Sequence, residues 1–542
     1  MAESYHNLIG VVTSGSLLEG LTARLDAQRS IEEIRVGQFV VIQGEKNKFF
    51  SLITDIILET TNQTILKDPP VDASFLSEIL KGTATYGKIT LQPQLMLPNG
   101  DSQRLQPVKT IPSHFAHVCE AEKDDFQDVF ATAGKLFFEI GRPLDMNVPV
   151  HINLERFVER SNGVFGKSGT GKSFLTRLLL CGTILADVAS NLIFDMHNEY
   201  GWESKAEDGT FVKGLRQLFG DQVYVCSLDV DASRQRGVKI DQEVTIGLDQ
   251  IEVEDILLLQ NELNLSSTAT ETCNLLEEEY KEDWLVRFLQ MDSDSLKEFA
   301  QTSGAHPGSL GALRRKLKQI APSKRSYIKE KTSTSVIDWM IKALSNGKHV
   351  VLEFGRHDNV LDYMLVANLI TRRIRESWKD KTETYLRTKK ATDRPRQLMI
   401  SIEEAHNFLN SAQSGQTIFG KIAREMRKYH VTLLVVDQRP SSIDDEVLSQ
   451  LGTRVTALLN DDRDIDAVFA GVSGGRGLKA ILASLDSRQQ ALILGHAVPM
   501  PIVVQTRSYD EEFYKAMGKR GTKSFAEPEL SAQEEVDELF PD

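Results

Sequence analysis

Cysteine is scarce in this 542-residue sequence, with Cys119, Cys181, Cys226 and Cys273 far apart and no CxxC pair. That fits buried thiols in a reducing compartment better than a disulfide frame or a zinc site. No apolar run reaches membrane-spanning length. The longest apolar region, Phe174 to Phe194, is broken by Arg177 and Asp187 and reads as a buried helix running into a buried strand. Residues 1–10 lack a basic segment followed by an apolar one, so no secretory signal is read; the expected location is cytoplasmic, with no membrane partner. Positive charge is also in deficit. A formal net charge of −14 argues against a chain that coats nucleic acid with its whole surface, although one basic channel lining would not show in the sum.

What is present is enough material for two or three domains, each with its own interior. Over residues 1–146, short apolar runs alternate with turn residues: Leu8 to Val12, Gly37 to Ile42, Phe49 to Ile53 and Gly87 to Leu91. This spacing predicts a small β-barrel or sandwich, with a helix near Ala73 to Leu80. From residue 147 the pattern becomes strand–helix alternation. Buried strands are expected at 163–165, 191–195, 223–226, 349–354, 398–402, 431–436 and 491–495, in a mostly parallel sheet covered on both faces. The α/β core thus takes 147–249 and 344–515. Between its third and fourth strands lies a helical insertion, 250–343, acidic and leucine-rich to Met291 and basic from Arg314 to Lys331. Residues 516–542 are expected to form a disordered acidic tail.

One segment carries definite chemistry. Gly166-Lys167-Ser168-Gly169-Thr170-Gly171-Lys172-Ser173 fits G-x-x-x-x-G-K-[ST], in which glycines turn backbone N–H groups onto phosphates. Lys172 reaches the outer phosphates and the Ser173 hydroxyl ligates Mg²⁺. The strand before it and the helix after it, whose N-terminus favours an anion, are both expected. ATP with Mg²⁺ is therefore the expected cofactor. A second strand ends in Glu403-Glu404, where such an enzyme places one carboxylate on the metal, Glu403, and another to activate water, Glu404; acids facing solvent are the plain alternative. A third ends in Asp437-Gln438, offering Gln438 toward the γ-phosphate. Lys421, Arg424, Arg427 and Lys428 make a basic stripe at helical spacing, either a solvated face or a source of an arginine for a neighbouring subunit. His406 is a packing or sensor residue.

With Asp195-Met196-His197-Asn198-Glu199-Tyr200-Gly201 following the second strand, the motifs stand in the order that resembles the HerA group of the HerA-FtsK ATPases. That resemblance implies a RecA-like P-loop core behind a barrel like that of HerA and the ATP synthases. It carries an arginine ahead of the phosphate loop onto Arg160, makes Arg427 the preferred finger acting in trans with Arg424 in reserve, and puts Asp195 at the nucleotide. Two departures stand out: Glu403 replaces the usual aspartate, and Met426 the usual glycine. The implied function is an ATP-hydrolysing, hexameric helicase or translocase on double-stranded DNA, serving DNA repair or antiviral defence with a nuclease, NurA-like, or another effector protein. Basic segments Arg314 to Lys331 or Arg387 to Arg396 are expected to meet phosphates. The alternative is an ATPase platform that recruits and activates an effector with little translocation.

Overall fold

The computed structural model describes residues 7–61, 84–99, 105–130, 134–205, 209–332, 335–410, 418–472, 475–486 and 489–521. Six antiparallel strands close into the N-terminal barrel: β1 (Leu8–Ser16), β2 (Gly20–Leu25), β3 (Phe39–Gln43), β4 (Asn47–Thr60), β5 (Thr85–Pro98) and β6 (His117–Glu120). Their order is β2-β1-β6-β3-β4-β5, and pairing of β5 with β2, Leu91 opposite Leu21, removes the free edges. Period-two alternation decides what each strand faces. In β3, Val40 and Ile42 point into the barrel with Ile53, Leu91 and Val118. Phe39 and Val41 turn outward into the larger core, where Phe39 packs against Phe50, Phe126 and Phe130. An aromatic seam therefore fastens the barrel to the rest of the chain.

The core sheet uses β7 (Phe137–Arg142), β8 (Val150–Asn153), β9 (Asn162–Phe165), β10 (Ser190–Asp195), β11 (Val223–Ser227), β12 (His349–Glu353), β13 (Leu398–Glu403), β14 (Val431–Asp437), β15 (Thr453–Thr456), β16 (Gln490–Gly495) and β17 (Ile502–Thr506). From the two-residue edge strand Gln242–Glu243, the order is β11-β12-β10-β13-β14-β9-β15-β16-β17-β7-β8. The run from β11 to β15 is parallel, and from β15 to β8 antiparallel. The seven strands expected from sequence all lie in this sheet. The sheet also takes up β7, β8, β15 and β17. These are short or mixed in polarity, such as Thr-Arg-Val-Thr in β15, and gain their burial from neighbours that sequence does not reveal. The sheet thus begins at Phe137, ten residues ahead of the boundary expected at 147.

Four helices position the site: α1 (Leu154–Glu159), α2 (Lys172–Ala186), α3 (Val360–Thr388) and α4 (Ile418–Glu425). Helix α2 is almost wholly buried; at Gly182 a Cβ would lie 2.9 Å from the Phe138 ring, so close packing of β7 requires glycine there. The insertion is helical, with helices at Val253–Leu258, Ser267–Tyr280, Trp284–Gln290, Ser293–Ser303, Pro307–Leu317 and Val336–Ser345. It is locked to α3 by buried Arg372, which donates to Asp255 at 2.9 Å while Asn368 donates to the other Asp255 oxygen at 3.0 Å. The helix expected near 73–80 lies outside the described residues. At position 516, where the acidic tail is expected to begin, the chain is still in the helix Glu511–Gly521, and residues 522–542 lie outside the described residues too.

Trp284 anchors the insertion, buried and donating its indole N–H to the Ile251 carbonyl at 3.0 Å. Trp284→Ala is expected to cost about 3–5 kcal/mol of local stability. In hydrogen exchange the helices between 253 and 290 should lose protection while β9 to β15 keep theirs; unchanged protection would remove Trp284 as the anchor.

Candidate active site

Register brings the catalytic strands to a common end. Phe165 of β9 lies opposite Asp437 of β14, and Val436 opposite Glu403 of β13. The phosphate loop, Glu403-Glu404 and Asp437-Gln438 therefore leave the sheet together at its C-terminal edge, where open α/β sheets place their ligands. The strand carrying Gln438 lies between the phosphate-loop strand and the strand carrying the two glutamates.

The loop from Gly166 is closed by its own hydrogen bonds. Thr170 Oγ1 donates to the Lys167 carbonyl at 2.7 Å, and Lys167 N–H reaches the Leu458 carbonyl of the next strand's exit at 3.0 Å. Gly169 and Gly171 have φ of 80° and 88°, in the left-handed region that glycine enters without penalty. A Cβ on Gly171 would meet nothing within 4 Å, which leaves the mouth of the loop clear. Lys172 Nζ donates to the Lys167 carbonyl at 3.2 Å. Ser168 lies in the same loop, and Ser173 sits half-buried in the first turn of α2.

Glu403 is buried, with Oε1 accepting from the Tyr200 hydroxyl at 2.8 Å and Oε2 without a hydrogen-bond partner. Burial first, and the Asp195 charge second, push its carboxyl well above the ordinary range. Tyr363 of α3 fixes the backbone there: its hydroxyl accepts from the Glu403 N–H and donates to the Glu403 carbonyl, both at 3.0 Å. A buried, half-satisfied carboxylate fits a nearby divalent cation. Glu404 sits at φ 45°, a conformation that costs a residue with a Cβ about 1 kcal/mol or more and gathers at functional sites. One of its oxygens accepts from Gln438 Nε2 at 2.7 Å, and the other lies 3.6 Å from His406 Nδ1. His406 is itself held by Asp437, through its backbone N–H at 2.8 Å and Nδ1 at 3.0 Å; that hydrogen bond raises the imidazole pKa. Among the described residues, Glu404, His406 and Asp437 form a cluster whose ligand atoms lie within 4.8 Å of one another.

Asp195 is placed differently. Its oxygens accept from the N–H groups of Glu199, Tyr200 and Gly201 at 2.7, 2.8 and 3.3 Å. It closes the Asp195–Gly201 loop and thereby aims Tyr200 at Glu403. Tyr200 and Tyr363 are functional neighbours that the sequence reading did not single out, because a tyrosine's reach across strands leaves no local pattern.

The arginines lie elsewhere. Arg427 precedes β14 and Arg160 precedes β9, at the sheet's opposite, N-terminal edge. The basic stripe is not one helix: α4 stops at Glu425, and Met426–Tyr429 form a 3-10 turn ending at His430, whose φ is 61°. Met426 is buried in the core, so the side chain standing where the family has glycine pins this turn. Arg424 is half-buried, its Nε 3.0 Å from the exposed Glu446. Arg160 lies against Gly452, where a Cβ would come within 2.6 Å of it. The basic segment Arg314 to Lys331 is largely helix and turn rather than loop. Arg314 and Lys316 donate to the carbonyls of Met291 and Asn264, Arg325 pairs with Asp362, and Lys331 with Asp283.

A strand–phosphate loop–helix, two glutamates ending one strand and a glutamine at the end of the strand between define a P-loop ATPase, here joined to a small closed barrel. The family described as "Helicase HerA, central domain" matches residues 138–374, and the HAS barrel domain matches 9–97. Among curated relatives, the "DNA double-strand break repair helicase HerA" of Saccharolobus solfataricus is 24% identical over 487 residues, covering 88% of each chain. That of Pyrococcus furiosus is 25% identical over 428 residues, covering 76% of this chain and 75% of its own. VirB4 of Thermoanaerobacter pseudethanolicus aligns with a TM-score of 0.45 at 15% identity, covering 70% of this chain and 98% of that one. In its barrel and in its ATPase core this chain is similar to the HerA-type ATPases. Among the described residues no helix is long and apolar enough to cross a membrane.

The neighbouring strand end holds Glu353, buried and pushed up from 4.5 to about 7 by burial first and Asp195 next, against the opposing pull of Arg236. Between those values the folded chain keeps a proton that the unfolded chain has released, so this group's contribution to stability falls as pH rises through the window. Glu353→Gln removes that titration. Its Tm is expected to decline less between about pH 5 and 7 than the wild type's, and parallel Tm curves would count against a neutral buried Glu353.

Proposed function

We propose that this ATPase works as a ring, hexameric by resemblance, in which each ATP site is completed by a neighbour, and that it drives movement along double-stranded DNA. The observation that carries this reading is the separation of parts. The phosphate loop, Glu403, Glu404 and Gln438 share one edge of the sheet, whereas Arg427 and Arg160 occupy the other. A guanidinium at the wrong edge does not reach its own phosphates, so it serves a site on another subunit.

In this reading the backbone N–H groups of Gly166 to Gly171 and Lys172 hold the phosphates of ATP. Lys172 exchanges its loop carbonyl for a more strongly charged acceptor. Ser173 and the unpartnered oxygen of Glu403 would hold Mg²⁺, which when bound supplies charge neutralisation on the β- and γ-phosphates. Glu404, steadied by Gln438, orients water for attack. Arg427 from the neighbour, with Arg160 beside it, stabilises the charge that develops in the transition state. Asp195 contributes by shaping the loop that carries Tyr200.

For DNA, Arg387, Lys389, Lys390 and Arg394 are the better candidates of the two basic segments. All four are exposed at the far end of α3, while four cations of the Arg314 to Lys331 segment have protein partners. Such a patch would grip phosphates without reading sequence. The names of the HerA relatives support a role in DNA repair; an effector such as a nuclease acting alongside, and antiviral defence, rest on the family resemblance.

The test is the ATPase rate of the purified protein with and without linear duplex DNA across salt concentrations. Stimulation at low salt that fades as salt rises is expected; a rate indifferent to DNA would sink the motor and favour a platform that activates an effector. Lys172→Ala should abolish hydrolysis. Glu404→Gln and Arg427→Ala should each lower kcat by about a hundredfold or more while nucleotide still binds. Full activity of Arg427→Ala would remove it as the finger.

A further inference from the structure

At the N-terminal edge of the sheet, three separate parts of the chain meet at one carboxylate. Glu159 ends α1, Arg427 lies on the 3-10 turn before β14, and His496 follows β16. Arg427 Nη2 donates to Glu159 Oε1 at 2.5 Å, and His496 Nε2 lies 2.9 Å from Glu159 Oε2. These contacts hold the carboxyl of Glu159 below its ordinary range, His496 more than Arg427. The backbone beneath is fixed: the Gly452 N–H donates to the Ser161 carbonyl at 2.7 Å, and the His496 N–H to the Gly452 carbonyl at 2.8 Å. Arg160, packed on Gly452, is the next residue in the chain. Of the two arginines assigned to a neighbour's site, Glu159 therefore adjoins one in the chain and is bonded to the other.

The pair is a poor stabiliser. Arg427 and Glu159 are 54% and 47% exposed, and ion pairs so exposed contribute little to folding. Its effect is geometric. A free arginine carries several rotatable bonds, and bonding to Glu159 selects one orientation before the neighbour arrives. The bond is also weak enough to yield: a triphosphate with Mg²⁺ offers a denser negative charge than one exposed carboxylate.

We propose that Glu159, braced by His496, is a positioning residue that sets the pose of the Arg427 guanidinium for the adjoining subunit's ATP site. This rests on the reading of Arg427 as the arginine lent to a neighbour. It also ties that arginine to β9, whose other end is the subunit's own phosphate loop.

The test compares full-length wild type, Glu159→Ala, Glu159→Gln, Arg427→Ala and the Glu159→Ala/Arg427→Ala double variant, each checked for assembly by light scattering, in steady-state ATP hydrolysis. Glu159→Ala is expected to lower kcat about tenfold and leave KM within about twofold. Glu159→Gln should recover most of the loss, because an amide oxygen in the same place still accepts from Arg427. The double variant should be no slower than Arg427→Ala, since the first substitution acts only through the second residue. An inactive Arg427→Ala beside a normal Glu159→Ala overturns the positioning role and spares the finger, as do effects that multiply in the double variant or a change in KM alone. A fully active Arg427→Ala overturns both.

Discussion

Buried negative charge at the ends of parallel strands is the constraint on which the rest of this site depends. Asp195, Glu353 and Glu403 finish adjacent strands, each at most 7% exposed, and the charge of Asp195 raises the cost of ionising both of the others. The surrounding structure answers each acid differently. Asp195 is met by three backbone N–H groups, Glu353 by Ser233 and Arg236, and Glu403 by one tyrosine, which leaves an oxygen open. Of the three, Glu403 is the acid with a fully buried oxygen that accepts no hydrogen bond. The deficit of charge compensation is thereby concentrated on the strand that ends beside the strained Glu404 backbone.

That arrangement explains why part of the site could be read from sequence and part could not. The phosphate loop is local: its spacing, its strand and its helix lie within thirty consecutive residues, so the chemistry and the conformation are written in one place. Glu403-Glu404 and Gln438 were legible because each closes an apolar run. Tyr200 and Tyr363 were not, since their roles depend on a loop fold and on a helix laid across the sheet. The basic stripe misled because i, i+3 spacing continues past the point where Met426 turns into the core and the helix gives way. In the barrel, four of six strands showed as apolar runs. Gly20–Leu25 and His117–Glu120, with their polar alternation, acquire burial only when the barrel closes.

The same contrast applies to charge. A net charge of −14 hides a surface on which cations have been divided between structural and free duty. In the insertion four of the eight cations between Arg314 and Lys331 hold parts of the fold together, as Arg325 does at Asp362. At the end of α3 they are left facing outward. Counting basic residues along the sequence weights both segments alike; hydrogen bonding separates them.

The margins of the core sheet carry a consequence of their own. One side ends in a strand of two residues, Gln242–Glu243, and the other in the four-residue β8. So little exposed backbone gives an adjoining molecule almost no ladder to extend. In the proposed ring, contacts between copies would then run through side chains, which can be broken and remade singly. A continuous intermolecular sheet would freeze such an assembly, and blunt margins leave that route closed.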